Sequence, residues 1–213
     1  MKKLSSNNLD LLPNPIQLKS LCQSIAVLEA IISPEWQYRY YSYNKNWAKG
    51  EEFCQMRNGS GDEILILFGK TGTVINGFAH ESSFQDKDLI TKNLAKEFHP
   101  FIFGEPVASI GTTFCIWTIE ENKKWTNNKK ALKQENFCDG SEEFLELLDG
   151  KPETFHEWAE DYYDLENLSL DIVKQIYSHT PITRKTVKQL NPTLKSFKQL
   201  KEDLEEIGYA YKL

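Results

Sequence analysis

The sequence predicts an α+β fold: an N-terminal helix, an antiparallel meander sheet of about six strands and a C-terminal helical region, in a single domain over residues 1–213. Three changes of period carry that expectation. Apolar residues recur at helical spacing over 15–32, give way to strand-like runs between short glycine turns over 36–120, and return to helical spacing over 141–208. A chain of 213 residues buries a sizeable core without disulfide or metal staples.

Asn14 and Pro15 supply an N-cap and a proline at the first helical position. Leu18, Leu21, Cys22, Ile25, Leu28 and Ile32 then form one stripe, and Ser33-Pro34 ends the helix. Trp36, Tyr38 and Tyr40 alternate with Gln37 and Arg39, which predicts a half-buried strand. Through Tyr43 this segment carries aromatics on both faces, one for the core and one for a helix or a partner. A second strand covers Glu51 to Arg57, followed by the turn Asn58-Gly59-Ser60-Gly61-Asp62. The third, Glu63 to Phe68, is nearly all apolar and belongs at the centre of the sheet. Gly69-Lys70-Thr71-Gly72 turns into a fourth strand, Thr73 to Ala79, and turns this short make neighbouring strands antiparallel. A helical stretch near 87–97 precedes further strands near 103–109 and 112–120, while the Lys-, Asn- and Gln-rich stretch from Asn122 to Asn136 reads as disordered.

The final third is helical. Thr154 and Glu157 have capping-box spacing, with Phe155, Trp158, Ala159 and Tyr162 on one face. Ser169 caps a helix that turns Leu170, Val173, Ile176 and Tyr177 inward. Helices near 183–190 and 194–207 follow, the last using Leu194, Phe197, Leu200, Leu204 and Ile207 and stopping at Gly208.

Composition excludes several function classes. With 25 Lys and Arg against 31 Asp and Glu the formal charge is −6, the wrong sign for a general nucleic-acid binder. The basic N-terminus leads into polar residues rather than an apolar export segment. The longest apolar run, Ile64 to Phe68, falls far short of the ~20 residues that span a bilayer. A soluble, cytoplasmic protein with no membrane or nucleic-acid partner is expected. Cys22, Cys54, Cys115 and Cys138 are dispersed among apolar neighbours and read as reduced core residues. No motif implies a cofactor.

Charge is unevenly placed. Eleven acids lie between Asp139 and Glu166, with Lys151 as the lone base among them. From Lys174 to Lys201 there are seven bases and no acid. The two runs are either solvated helix faces that attract each other weakly, or the acidic one steers a basic protein into contact. On the second reading the partner-binding residues are Glu142, Glu143, Glu146, Glu153, Glu157, Glu160 and Asp161.

Local motifs for catalysis are sparse. Gly69-Lys70-Thr71 resembles the end of a phosphate-binding loop, but Ile64 stands where that loop needs its first glycine. Asn58 to Asp62 is a glycine-bearing hairpin loop whose amides, beside Arg57, could also cradle an anion. Pairing of the third and fourth strands brings Asp62, Glu63, His80 and Glu81 to one end of the sheet, where they could hold a divalent metal or supply a general base. His99, His156 and His179 are isolated, and no Gly-x-Ser-x-Gly or catalytic cysteine signature occurs. A triad of residues distant in sequence would meet only in the fold.

The segments Trp47-Ala48-Lys49-Gly50-Glu51, Met56-Arg57-Asn58-Gly59-Ser60-Gly61-Asp62-Glu63 and Gly77-Phe78-Ala79-His80-Glu81-Ser82 resemble a family of bacterial proteins without an assigned activity. Asp139-Gly140-Ser141-Glu142 and Gly150-Lys151-Pro152-Glu153-Thr154-Phe155 extend that resemblance over most of the chain. The general organisation and the helix start Thr154-Phe155-His156-Glu157-Trp158 are also similar to SUKH-type immunity proteins. That likeness implies a small acidic α+β protein that neutralises a toxin by binding it. Two functions are therefore expected: binding of a basic protein, such as a toxin or effector neutralised by an immunity-type protein, or alternatively metal-assisted hydrolysis at Arg57, Asp62, Glu63, His80 and Glu81.

Overall fold

Asn14 opens α1 (Pro15–Ile32) as its side chain dictates, with Oδ1 accepting the N–H groups of Ile16 and Gln17 at 3.1 Å each. The computed structural model describes residues 2–82, 85–119, 124–133 and 138–213. After α1 come β1 (Tyr41–Ala48), β2 (Glu51–Arg57), β3 (Glu63–Phe68) and β4 (Gly72–Phe78). The short helices α2 (Lys87–Ile90), α3 (His99–Ile102) and α4 (Val107–Ile110) lead to β5 (Phe114–Ile119). Strands β1 to β5 form an antiparallel meander in sequence order, so β3 lies at its centre as its apolar composition predicts. Helices α5 (Ser141–Phe144), α6 (Pro152–Tyr162) and α7 (Leu170–Tyr177) follow, then β6 (Ile182–Thr183), α8 (Arg184–Leu190), α9 (Phe197–Ile207) and β7 (Tyr211–Lys212). β6 and β7 form a small parallel pair. The fold is α+β.

Both faces of the sheet are covered. Tyr41, Tyr43, Cys54, Met56, Ile64, Ile66 and Ile75 pack in one cluster with α1 and the C-terminal helices. Phe53, Leu65, Leu67, Val74, Cys115 and Trp117 pack on the other side with residues of the 85–111 segment such as Ile90, Phe98 and Val107. Burial on both faces replaces the polar half of a strand's alternation by apolar residues. α1 is long and apolar enough to cross a membrane by length and composition, with a mean hydropathy of 1.2, although no single unbroken apolar run marked it. In the fold 61% of it is buried, which is the position of a core helix.

Several sequence expectations are corrected. Trp36–Tyr38 form a 3₁₀ turn, and the strand begins only at Tyr41. The alternation misled because Arg39 points inward: it is buried, donating from Nε to the Ser33 carbonyl at 3.0 Å and from Nη2 to the Pro34 carbonyl at 2.7 Å. Trp36 and Tyr38 are exposed instead. The strand expected near 103–109 is absent, leaving five strands in the meander; Pro106 has no N–H for a ladder, and the chain turns into α4. The helix expected over 87–97 is only α2 and a 3₁₀ turn at Lys96–Phe98. Thr154 is not a cap, because Pro152 starts α6 earlier and the Thr154 hydroxyl donates to Asp149 Oδ2 at 2.8 Å. Ser169 holds the N-cap position without a side-chain cap bond. Part of the stretch expected to be disordered, 122–123 and 134–136, lies outside the described residues. The remainder is tied down: Trp125 Nε1 donates to the Pro13 carbonyl at 2.7 Å, and Thr126 bridges Trp117. Cys138 is exposed, while Cys22, Cys54 and Cys115 are buried free thiols.

A polar hub locks the α1–β1 elbow. Glu29, fully buried in α1, accepts the Tyr40 N–H at 2.8 Å and the Tyr163 hydroxyl at 2.5 Å, both on Oε2, while Oε1 has no partner among the described residues. Burial outweighs these bonds and pushes its pKa from 4.5 up to about 7. Arg39 meets Asp203 of α9 at 2.6 Å, with both side chains buried.

Because the folded pKa of Glu29 is raised, its contribution favours the fold at low pH and is lost as pH rises from about 4.5 to about 7. Urea denaturation across that range should show wild type losing about 3 kcal/mol relative to Glu29→Gln. Parallel profiles would show that Glu29 does not titrate in the folded protein. Arg39→Ala strands the Asp203 carboxylate and should destabilise the fold by about 3–5 kcal/mol in the same assay.

Candidate functional site

The β2–β3 turn is closed by Asn58, whose Oδ1 accepts the N–H groups of Ser60 and Asp62 at 2.9 and 3.2 Å. Its Nδ2 donates to Asp62 Oδ2 at 2.6 Å. The turn thus holds the Asp62 carboxylate against the chain leaving β4. There Asp62 Oδ1 accepts the His80 backbone N–H at 2.9 Å and lies 2.7 Å from His80 Nδ1. This pair orients the imidazole with Nδ1–H towards Asp62 and leaves Nε2 for other chemistry. Partial burial opposes ionisation of Asp62, but the bonds from His80 and Asn58 prevail and hold its pKa below the usual value. The Asp62 contact raises the His80 pKa.

Of the residues expected at this end of the sheet, the fold unites Asp62 with His80 and places Glu81 beside them, 3.8 Å from Nε2. It does not bring in Arg57 or Glu63. Glu63 accepts from Gln55 Nε2 at 2.8 Å, sharing the strand parity of Leu65 and Leu67 rather than Ile64. Arg57 donates to the Trp36 carbonyl at 2.6 Å and stacks over that ring at 3.6 Å, away from the glycine turn. Among the described residues no group of three or more His, Cys, Asp or Glu side chains is arranged to hold a metal ion.

Asp62, His80 and Glu81 line an open pocket of about 260 Å³ together with Cys138, Gly140 and Glu143. A neighbouring pocket of about 560 Å³ shares Cys138, Gly140 and Glu143 and adds Glu142, Glu146 and Lys3. The two regions considered separately in the sequence therefore adjoin in the fold. Gly140 makes the junction possible: at φ +77° it lies where a Cβ would meet Phe144 at 2.6 Å and Ala79 at 2.7 Å.

The acidic run is mostly surface. Glu142, Glu143, Glu146, Glu153, Glu157 and Asp161 are exposed, and Glu160 is half-buried near His156 Nε2 at 3.6 Å. Asp139 departs from the run, being buried and bonded to Ser6 and Ser141. Among the described residues, Lys174–Glu153 at 2.8 Å is the lone ion pair between the acidic and basic runs, and Glu142 pairs with Lys3 at 3.2 Å. Glu143, Glu146, Glu157 and Asp161 take part in no ion pair there. Within this surface Tyr162 is 44% exposed and stacks on Trp158 at 4.7 Å. Cys138 is the member of this site that the sequence reading consigned to the core; its only sequence signal was proximity to the Lys- and Asn-rich stretch.

No protein-family model, curated protein or solved structure matches this chain.

Asp62→Asn should lower the pH at which His80 titrates, followed through the imidazole Cε1 proton by NMR. An unchanged midpoint would show that the Asp62 contact does not support the charged imidazole.

Proposed function

We propose that this is a soluble, cytoplasmic binding protein that engages a basic protein partner through the acidic surface of α5 and α6. The observation that carries this reading is the set of four exposed carboxylates, Glu143, Glu146, Glu157 and Asp161, that the protein's own bases leave unpaired among the described residues. A field of one sign accelerates encounter with a partner of the other, and it does so without specifying the contact. Tyr162, rigid on Trp158, supplies an aromatic anchor within that field. Glu142 and Glu153 line its edges, where Lys3 and Lys174 would exchange one partner for another. Masking of a basic toxin or effector, as in the immunity proteins the sequence resembles, is the biological form this binding takes in our reading.

The test is affinity capture from the source cytoplasm at low and high salt, comparing wild type with a variant carrying Lys at 143, 146, 157 and 161. A basic protein retained by wild type at low salt, released at high salt and absent from the variant supports the proposal. Its association rate with purified wild type should exceed that with the variant by about tenfold or more. Equal capture by both proteins would overturn it.

A further inference from the structure

We propose that the pocket beside His80 is a thiol acyl-transfer site, with Cys138 as nucleophile, His80 as its base and Asp62 as the residue that positions His80. The observations are geometric. Cys138 is the exposed thiol of the chain, whereas Cys22, Cys54 and Cys115 are buried, and it lines the same 260 Å³ pocket as His80. Asp62 holds His80 Nδ1 at 2.7 Å, which leaves Nε2 as the nitrogen able to take a proton. Cys138 is itself anchored, since its carbonyl accepts the Ser82 hydroxyl at 2.8 Å and the next residue is locked in buried hydrogen bonds. Among the described residues no hydrogen bond joins the thiol to His80, and such bonds commonly tighten only when substrate is bound.

The reaction balances without an external oxidant or reductant. His80 Nε2 accepts the thiol proton as Cys138 Sγ attacks a carbonyl carbon, and the proton passes to the departing alkoxide or amine. A thioester then joins the acyl group to Cys138. Water attacks the thioester, His80 takes the water's proton and returns it to the departing thiolate, and a carboxylic acid is released. Glu81 and Glu143 in this pocket, with Glu142 and Glu146 in the adjoining one, favour an acyl compound that carries a cationic group. This substrate assignment rests on the acidic surface proposed above, whereas the thiol chemistry does not.

Two p-nitrophenyl esters of Nα-acetylated amino acids, lysine and the uncharged norleucine, test both parts on the full chain. Mass spectrometry should place the acyl adduct on Cys138, and His80→Gln should slow its formation by roughly 100-fold. Faster acylation by the lysine ester is expected, and equal rates would overturn the cationic-substrate assignment alone. An adduct missing from Cys138, or formed equally fast in His80→Gln, would overturn the thiol site. Alkylation of Cys138 by iodoacetamide across pH gives a second reading of His80 and Asp62. Among the described residues the charged groups facing His80 are Asp62, Glu81 and, in the lining of the same pocket, Glu143. His80→Gln and Asp62→Asn should be slower than wild type near neutrality and converge with it at alkaline pH, where solvent base replaces His80 in taking the proton. Superimposable profiles would overturn the assigned roles. Unreactive Cys22, Cys54 and Cys115 certify that each variant is folded.

Discussion

The buried carboxylate of Asp139 is the tie on which the site depends. Its oxygens accept the Ser6 hydroxyl at 2.5 Å, the Ser141 N–H at 3.0 Å and the Ser141 hydroxyl at 2.6 Å. Its carbonyl accepts the Thr113 hydroxyl at 2.8 Å, and the same Thr113 oxygen accepts the Ala79 N–H at 3.1 Å. The N-terminal segment, the exit from β4, the entry to β5 and the start of α5 are thereby joined through groups that water does not reach. A buried network of this kind holds one arrangement strongly, because breaking any member leaves unpaired polar groups in a medium of low dielectric. It brings Cys138 and Glu143 beside His80 although they stand far apart in the chain.

Covering the sheet on both faces is the second constraint. β3 and β4 are buried throughout or nearly so, which requires a layer on each side. α1 and the C-terminal helices form one layer, and the segment between β4 and β5 forms the other. A long excursion between two adjacent strands follows from that demand. Its return, and the passage from β5 to α5, carry the chain back to the end of the sheet where the β2–β3 turn presents Asp62.

Charge acts on a longer scale than either packing effect. The acids of α5 and α6 extend from the pocket mouth, and the basic run neutralises them at a single point among the described residues, where Lys174 of α7 meets Glu153. Arg184 instead stacks over Phe197, and Lys188 donates to the carbonyls of Pro192 and Leu194. Those cations serve local packing in the helical region. The acidic face adjoins the pocket that holds a His–carboxylate pair and an exposed thiol.

Local sequence by itself determined the elements whose signals are short in range. Asn14-Pro15 and Ser33-Pro34 bound α1, the apolar run of β3 placed it centrally, and Gly208 ends α9 in a left-handed conformation. Pairing of β3 with β4 through the short turn after Phe68 also made the proximity of Asp62 and His80 legible. Only the tertiary structure decided the rest. Alternation at Trp36–Tyr40 carried a strand pattern, but the carbonyls at the end of α1 and the Asp203 carboxylate drew Arg39 inward. Asp139 looked like one more surface acid until Ser6, from the far end of the chain, met it. Cys138 looked like a core thiol because burial depends on which layers close over a residue, and its neighbours in sequence do not report that. Local propensity is encoded by adjacent residues, whereas burial and the meeting of the pocket residues are set by contacts between segments that the sequence keeps apart.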